Sequence, residues 1–287
     1  MFTEARPPIF VGGTGRSGTT IVARIIGSHP DIQMIPIEIR FIVDPGGLCD
    51  LVAGRTDVRE FSASLTGKWW HRQRKDGSTR GLHKIVERDI VEEALHELHS
   101  SSVRDPSSAR RLAHRILDPV ATAFDASRWV EMTPPNASRG VELGRIFPEM
   151  KLIHVVRDGR DVACSVSPLV WGPADPLSAL EWWADRLLEA HRACEGLTSD
   201  HLFQTRMESL CTEPDQTIER LFDFLDERPD PSVERFVRRW VNSERAHIDR
   251  WKEDVELHAH EAFQRQYAGL IARLSSEGAP TGLWRLD

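Results

Sequence analysis

The apolar residues of this chain fall into short unbroken runs, separated by stretches in which they recur every three or four positions. Residues 8–13, PIFVGG, form an apolar run ending in glycines, and residues 18–28, GTTIVARIIGS, carry apolar positions at helical spacing, so the pattern predicts strand, loop and helix. The same succession returns at 151–168, where KLIHVV reads as a buried strand, RDGR as a turn and DVACSVS as the start of a helix. RWVEM (128–132) and HLFQTRM (201–207) predict two more short strands. Period counting places helices over 83–99, 108–125, 175–195, 213–226, 231–241 and 259–275. Apolar strands alternating with helices predict an α/β fold of three layers, with a central parallel sheet covered on both faces.

One stretch resists this pattern. Residues 54–80 are polar and basic, with Trp69 and Trp70 adjacent, so the two indoles face opposite sides of any regular element. The stretch reads equally as an exposed insertion pinned by one tryptophan or as a lid over an acceptor. No Pro/Ser linker divides the chain, and we expect one domain over 1–287 with residues 45–125 as a mostly helical insertion that caps the acceptor.

Composition narrows the function. Hydrophobic residues make up 40% and charged residues 28%, as in ordinary globular proteins, which excludes disordered, collagenous and coiled-coil classes. The net charge of −7 argues against a protein that coats nucleic acid or acidic membrane, so any anion site must be local. Cys49, Cys164, Cys194 and Cys211 are far apart, form no CxxC pair or zinc pattern, and read as reduced core thiols. The N-terminal residues carry no secretory pattern and no run approaches a membrane span, so a cytoplasmic monomer or homodimer is expected.

Gly13-Thr14-Gly15-Arg16-Ser17-Gly18-Thr19-Thr20 lies where a strand turns into a helix. Glycines let backbone amides converge on an anion, the helix N-terminus adds partial positive charge, and Arg16 and two threonine hydroxyls add donors. Against the Walker pattern GxxxxGK[ST] the glycines fit, but Thr19 stands at the lysine position and the cation has moved to Arg16. The strand at 152–156 runs into Arg157 instead of a magnesium-binding carboxylate, which disfavours a P-loop kinase or NTPase, although the expected sheet is of the P-loop NTPase kind. A non-catalytic nucleotide-binding module is the other alternative. Arg157-Asp158-Gly159-Arg160-Asp161 follows a second strand, with Ser165 eight residues beyond Arg157, and ligands of parallel sheets bind outside the strand carboxyl ends, so both loops can face one crevice.

With GRSGTT and VVRDGRDVACS both in view, the chain resembles sulfotransferases dependent on 3′-phosphoadenosine 5′-phosphosulfate (PAPS), most of all the tyrosylprotein branch and its bacterial small-molecule relatives. IFVGGTGRSGTT, SHPDIQMIPIEIR, VVRDGRDV and TRMESLCTEP with LFDFL match in order, whereas residues 45–125 carry almost no match. The resemblance implies that Gly15, Arg16, Ser17, Gly18, Thr19 and Thr20 hold the 5′-phosphate, that Arg16 contacts the bridging oxygen, and that Arg157 and Ser165 bind the 3′-phosphate. It implies Glu38 as catalytic base, Arg40 beside it, and Arg250 as a further cation on the cofactor, with 3′-phosphoadenosine 5′-phosphate (PAP) as product. No metal is needed on this reading, since arginines and amides neutralise the phosphates. The chain departs from the tyrosylprotein branch at Met132, where a lysine is expected, at Met207, where many relatives carry tyrosine, and in lacking a membrane anchor and lumenal disulfides.

The implied reaction moves SO₃ in line to a hydroxyl of a small molecule, which needs a cation at the leaving oxygen and a base at the acceptor. His29, His71, His83 and His114 rival Glu38 as the base, and His29 reads as the end of the first helix. Arg40, Trp69, Trp70, His83 and Trp171 are weak candidates for contact with the acceptor, Trp171 as a wall near the loop; Trp183 reads as core, and the basic 68–88 region hints at an anionic or flat aromatic partner.

Overall fold

The computed structural model describes residues 6–73, 77–255 and 259–279. In chain order the strands are β1 (Ile9–Gly13), β2 (Ile32–Met34), β3 (Arg72–Gln73), β4 (Thr79–Arg80), β5 (Arg128–Glu131), β6 (Lys151–Val156) and β7 (Leu202–Arg206). Among the described residues five of them form one parallel sheet in the order β2-β5-β1-β6-β7, and β3 pairs with β4 as a separate antiparallel hairpin. The expected α/β architecture with a central parallel sheet is therefore present. β1, β5, β6 and β7 coincide with the predicted strands; β2 is three residues long, and β3 and β4 two each, too short for a period to show.

Alternation along β1 assigns the two faces. Ile9 and Val11 pack with Val130, Ile153 and Val155 against Val22, Ile25 and Ile26 of the helix Thr19–Ile26, and against Leu221, Phe222 and Val233 from later helices. Phe10, Trp129 and Leu152 point the other way, against Leu112, Ile116 and Leu117 of the helix Pro106–Thr122 and against Phe147. A third cluster around Trp183, Trp251, Phe263 and Tyr267 joins the helices Pro176–Cys194 and His260–Ser276, and Trp183 is core as expected.

Residues 35–127, which connect β2 to β5, supply the layer on the Phe10 face. Within the stretch that gave no pattern lies a helix, Val58–Thr66, whose Phe61 and Leu65 are both fully buried. A single i,i+4 apolar pair is too weak a signal to predict it, although Asp57 caps it by accepting from the amides of Arg59 and Glu60. Three predicted helices share one start, Asp-Pro with a serine one or two residues beyond the proline. Asp105, Asp175 and Asp230 accept from the amides of Ser107, Ser178 and Ser232, and the proline occupies the first helical turn, where its missing N–H costs nothing.

β1 lies between β5 and β6, so the chain order reverses across it, and the loops after all three strands open on one crevice at their carboxyl ends.

Candidate active site

That crevice is a cleft of ≈ 1700 Å³ reached by Gly13–Arg16 and Gly18–Thr20, by Glu38 and Arg40, by Pro134, Pro135 and Ser138 after β5, and by Arg157 after β6. The first loop is bent by residues with positive φ: Gly15 at 89°, Arg16 at 59° and Gly18 at 102°. At Gly18 a Cβ would also stand 2.6 Å from the Met207 Sδ, so no larger residue fits between loop and helix. Among the described residues the amides of Gly15, Arg16, Ser17 and Gly18 donate to no backbone or side-chain acceptor, and the unpaired first turn of Thr19–Ile26 follows directly. Such a set of free donors at a helix N-terminus suits a phosphate. Ser17 contributes only its amide, because its hydroxyl is buried under the loop next to Gly13.

The second loop meets the first. The Arg16 Nε donates to the Ser165 hydroxyl at 2.9 Å, and the Arg157 Nη1 donates to the Arg16 carbonyl at 3.2 Å. Arg157 Nη2 donates to the carbonyls of Ala246 and His247, both at 2.8 Å. Arg16, Arg157 and Ser165, from positions 149 or fewer residues apart, thus form one contiguous group. The rest of RDGRD builds the wall. Asp158 caps the helix Gly159–Val166, and Arg160 is buried between the rings of Trp251 and Tyr267, 4.5 Å from each, while paired with Asp158 at 2.7 Å. The Asp161 carboxylate accepts from the amides of Asp249 and Trp251, which holds the 246–247 carbonyls against Arg157. Burial raises the Asp161 pKa, opposed by the nearby Arg157.

On the opposite side Glu38 is ion-paired with Arg40, which also reaches Asp44 at 3.4 Å. Arg40 has a positive φ of 61°, and although burial alone would lower its pKa, Glu38 and Asp44 raise it. Beneath this segment lies Glu131 at the end of β5. Its Oε1 accepts from the amide and hydroxyl of Thr133 and from the Ile39 amide at 3.4 Å, and its Oε2 accepts from Asn136 at 2.6 Å. Full burial outweighs these bonds and pushes Glu131 up to about 7. The Thr133 hydroxyl in turn accepts from the Arg40 amide, so Glu131 and Thr133 fix the backbone that presents Glu38.

Several candidates sit elsewhere. Arg250 pairs with Asp254 on the short helix Trp251–Asp254 and does not reach the cleft, because that turn directs its side chain along its own helix. Trp69 is buried in the Phe10-face core, and Trp70 and His83 form the base of the β3–β4 hairpin, with the His83 ring against the Trp70 carbonyl at 2.7 Å. Trp171 lines the mouth of the cleft, 61% exposed and 6.2 Å from Trp182. Met132 is buried in the Ile9-face core, whereas Met207 lines the cleft against Gly18. Of the rival bases, His29 lies beyond the first helix, which ends at Ile26 with Gly27 as its cap, and packs near Phe222; His71 and His83 pack against each other at a tilt, and His114 pairs with Asp118; none lines the cleft. The lining residues that sequence reasoning missed are Arg24, Arg72, Arg80, Arg186, Trp240, Arg245 and His247. Arg24 lies on the helix Thr19–Ile26 directly after the glycine loop, and the others belong to elements that carry no motif.

Among the described residues no helix is long and apolar enough to cross a membrane, and no group of three or more His, Cys, Asp or Glu could hold a metal ion. Cys49, Cys164 and Cys194 are buried free thiols, and burial pushes Cys164 and Cys194 up to about 12.

Residues 7–231 match the family model described as "Sulfotransferase family". A protein-tyrosine sulfotransferase of Drosophila melanogaster is 22% identical over 231 residues, 78% of this chain and 39% of the relative, so the chain spans well under half of that protein's length. Among solved structures, the sulfotransferase domain of the Synechococcus PCC 7002 olefin synthase superposes with a TM-score of 0.56 at 17% identity, covering 96% of this chain and 98% of that one. A sulfotransferase from Alicyclobacillus acidocaldarius gives 0.51 at 15% identity, with 95% of each chain covered. The chain belongs to the sulfotransferase family.

Proposed function

We propose that this member of the sulfotransferase family transfers a sulfuryl group, in line, from PAPS to a hydroxyl of a small-molecule acceptor, with Glu38 as general base. The observation that carries the reading is the joining of Arg16, Ser165 and Arg157 across two loops beside a row of unpaired amides, which provides two anion sites on one cleft. The bound donor supplies an activated sulfuryl group linked through oxygen to a 5′-phosphate. The amides of Gly15 to Thr20 and the helix N-terminus hold that phosphate, and Arg157 with Ser165 holds the 3′-phosphate. Arg16 lies at the loop position from which a guanidinium answers charge on the leaving oxygen, a contribution worth about 10²–10³ in rate. Glu38, steadied by Arg40, takes the proton of the attacking hydroxyl, worth about 10²–10⁴. The likeness in fold to a sulfotransferase domain of an olefin synthase is in keeping with a metabolite acceptor.

The test is a titration. PAP is expected to bind much more tightly than adenosine 5′-monophosphate, and Arg157→Ala to weaken PAP by about 10–100-fold while leaving the monophosphate nearly unchanged. Equal affinity of the wild type for the two nucleotides would overturn the reading.

A further inference from the structure

Arg72 and Arg80 stand directly opposite each other in the β3–β4 ladder, so both side chains project from the same face of the hairpin. Both line the cleft that holds Glu38. Like charges placed opposite each other in a ladder destabilise it. Among the described residues neither guanidinium has a hydrogen bond or ion pair, in a chain whose other arginines are mostly paired. The nearby carboxylates are already engaged, since Glu38 and Asp44 flank Arg40. Burial lowers the Arg72 pKa, and Arg40 and Arg80 add to the lowering against the opposing Glu38 and Asp44.

The hairpin is not loosely hung. The Leu82 amide donates to the Trp69 carbonyl at 2.9 Å and the His83 amide to the Trp70 carbonyl at 3.2 Å, while Trp69 and Leu82 are both buried in the Phe10-face core. The two arginines are therefore held over the Glu38 end of the cleft. The cofactor loops after β1 and β6 have their own cations, Arg16 and Arg157.

We propose that Arg72 and Arg80 form an oxyanion site for the acceptor, so that the preferred acceptor is a hydroxylated small molecule carrying a carboxylate or phosphoryl group, gripped by the hairpin while its hydroxyl faces Glu38. This rests on the reading of the cleft given above. Guanidinium forks suit oxyanions because two parallel N–H donors match two oxygens, and a paired site doubles the donors. The positive charge of the two unpaired guanidiniums becomes the attraction for the ligand.

Calorimetry in two stages tests it. PAP is titrated first, and failure to bind overturns the functional reading itself. With PAP saturating, 4-hydroxyphenylpropionate, 4-hydroxybenzylphosphonate and the neutral 4-hydroxyphenylpropionamide are then titrated into wild type and the Arg72→Gln/Arg80→Gln double variant. At least one anionic compound is expected to bind about 10–100-fold more tightly than the amide in wild type. That advantage should disappear in the double variant, with PAP affinity unchanged. The proposal is overturned if neither anion exceeds the amide, if the advantage survives the double substitution, or if the substitutions cost PAP affinity, which would place the arginines on the cofactor.

Discussion

His154 and Glu131 are both fully buried beside the central strand, and they make the stability of this protein respond to acid in opposite senses. His154 lies in β6 opposite Gly12, with Gln204 at 3.2 Å, and burial lowers its pKa from 6.5 to about 4. Unfolded chains take up this proton below 6.5 while the folded protein refuses it until about 4, so His154 costs stability as pH falls through that window. Glu131 is raised from 4.5 to about 7, so the folded state keeps a proton that the unfolded chain releases, and stability is gained as pH falls from 7 to 4.5. At 1.36 kcal/mol per unit of separation, lowering the pH from 7 to 5 costs about 2 kcal/mol through His154 and returns about 2 kcal/mol through Glu131. These two contributions therefore nearly cancel in the wild type. His154→Gln should become more stable than wild type by about 2 kcal/mol at pH 5 relative to pH 7, and Glu131→Gln less stable by a similar amount. The double variant should restore the wild-type profile. Urea unfolding followed by tryptophan fluorescence at pH 5, 6 and 7 reads the effect. Because the quantity compared is the change with pH, a constant packing cost of either substitution drops out. Parallel profiles for wild type and His154→Gln would show that the imidazole is protonated in the folded state, and would refute the reasoning.

Other substitutions address the site directly. Glu38→Gln should lower kcat by about 10²–10⁴ with PAP affinity intact, and turnover at the wild-type rate would place the base elsewhere. Gly18→Ala puts a side chain at φ 102° and 2.6 Å from the Met207 Sδ; it should cost about 1–2 kcal/mol of stability and weaken PAP binding, checked by thermal unfolding with and without PAP. Arg160→Ala removes the cation held between Trp251 and Tyr267 and leaves Asp158 unpaired; a loss of about 3–5 kcal/mol in urea unfolding is expected, and a neutral result would contradict a structural role.

The sheet and the two loops that meet at Arg16 and Arg157 were legible because their signals are local. A glycine loop between an apolar run and a helical period, and Arg157 after a second run, need only a few consecutive residues each. The rest of the cleft depends on contacts between distant residues. Trp240 reaches it from the end of the helix Pro231–Trp240, and Arg245 and His247 from the segment just before the amides at 249 and 251 that Asp161 captures, while Arg250 turns away toward Asp254. Met132 drew attention as a departure from relatives, yet strand alternation buries it, and its neighbour Glu131 is the residue that bonds to the Glu38 segment. Arg72 and Arg80 sit in strands of two residues, below the length at which alternation can be recognised.

The bond from Leu82 to the Trp69 carbonyl has a consequence for how such a protein can diversify. It fastens Trp69 and Leu82 side by side in the core, so that the paired strands Arg72–Gln73 and Thr79–Arg80 stand on it like a cassette in a fixed socket. Length and sequence within the cassette can change without moving either end, because neither the sheet nor the phosphate loops take any residue from it.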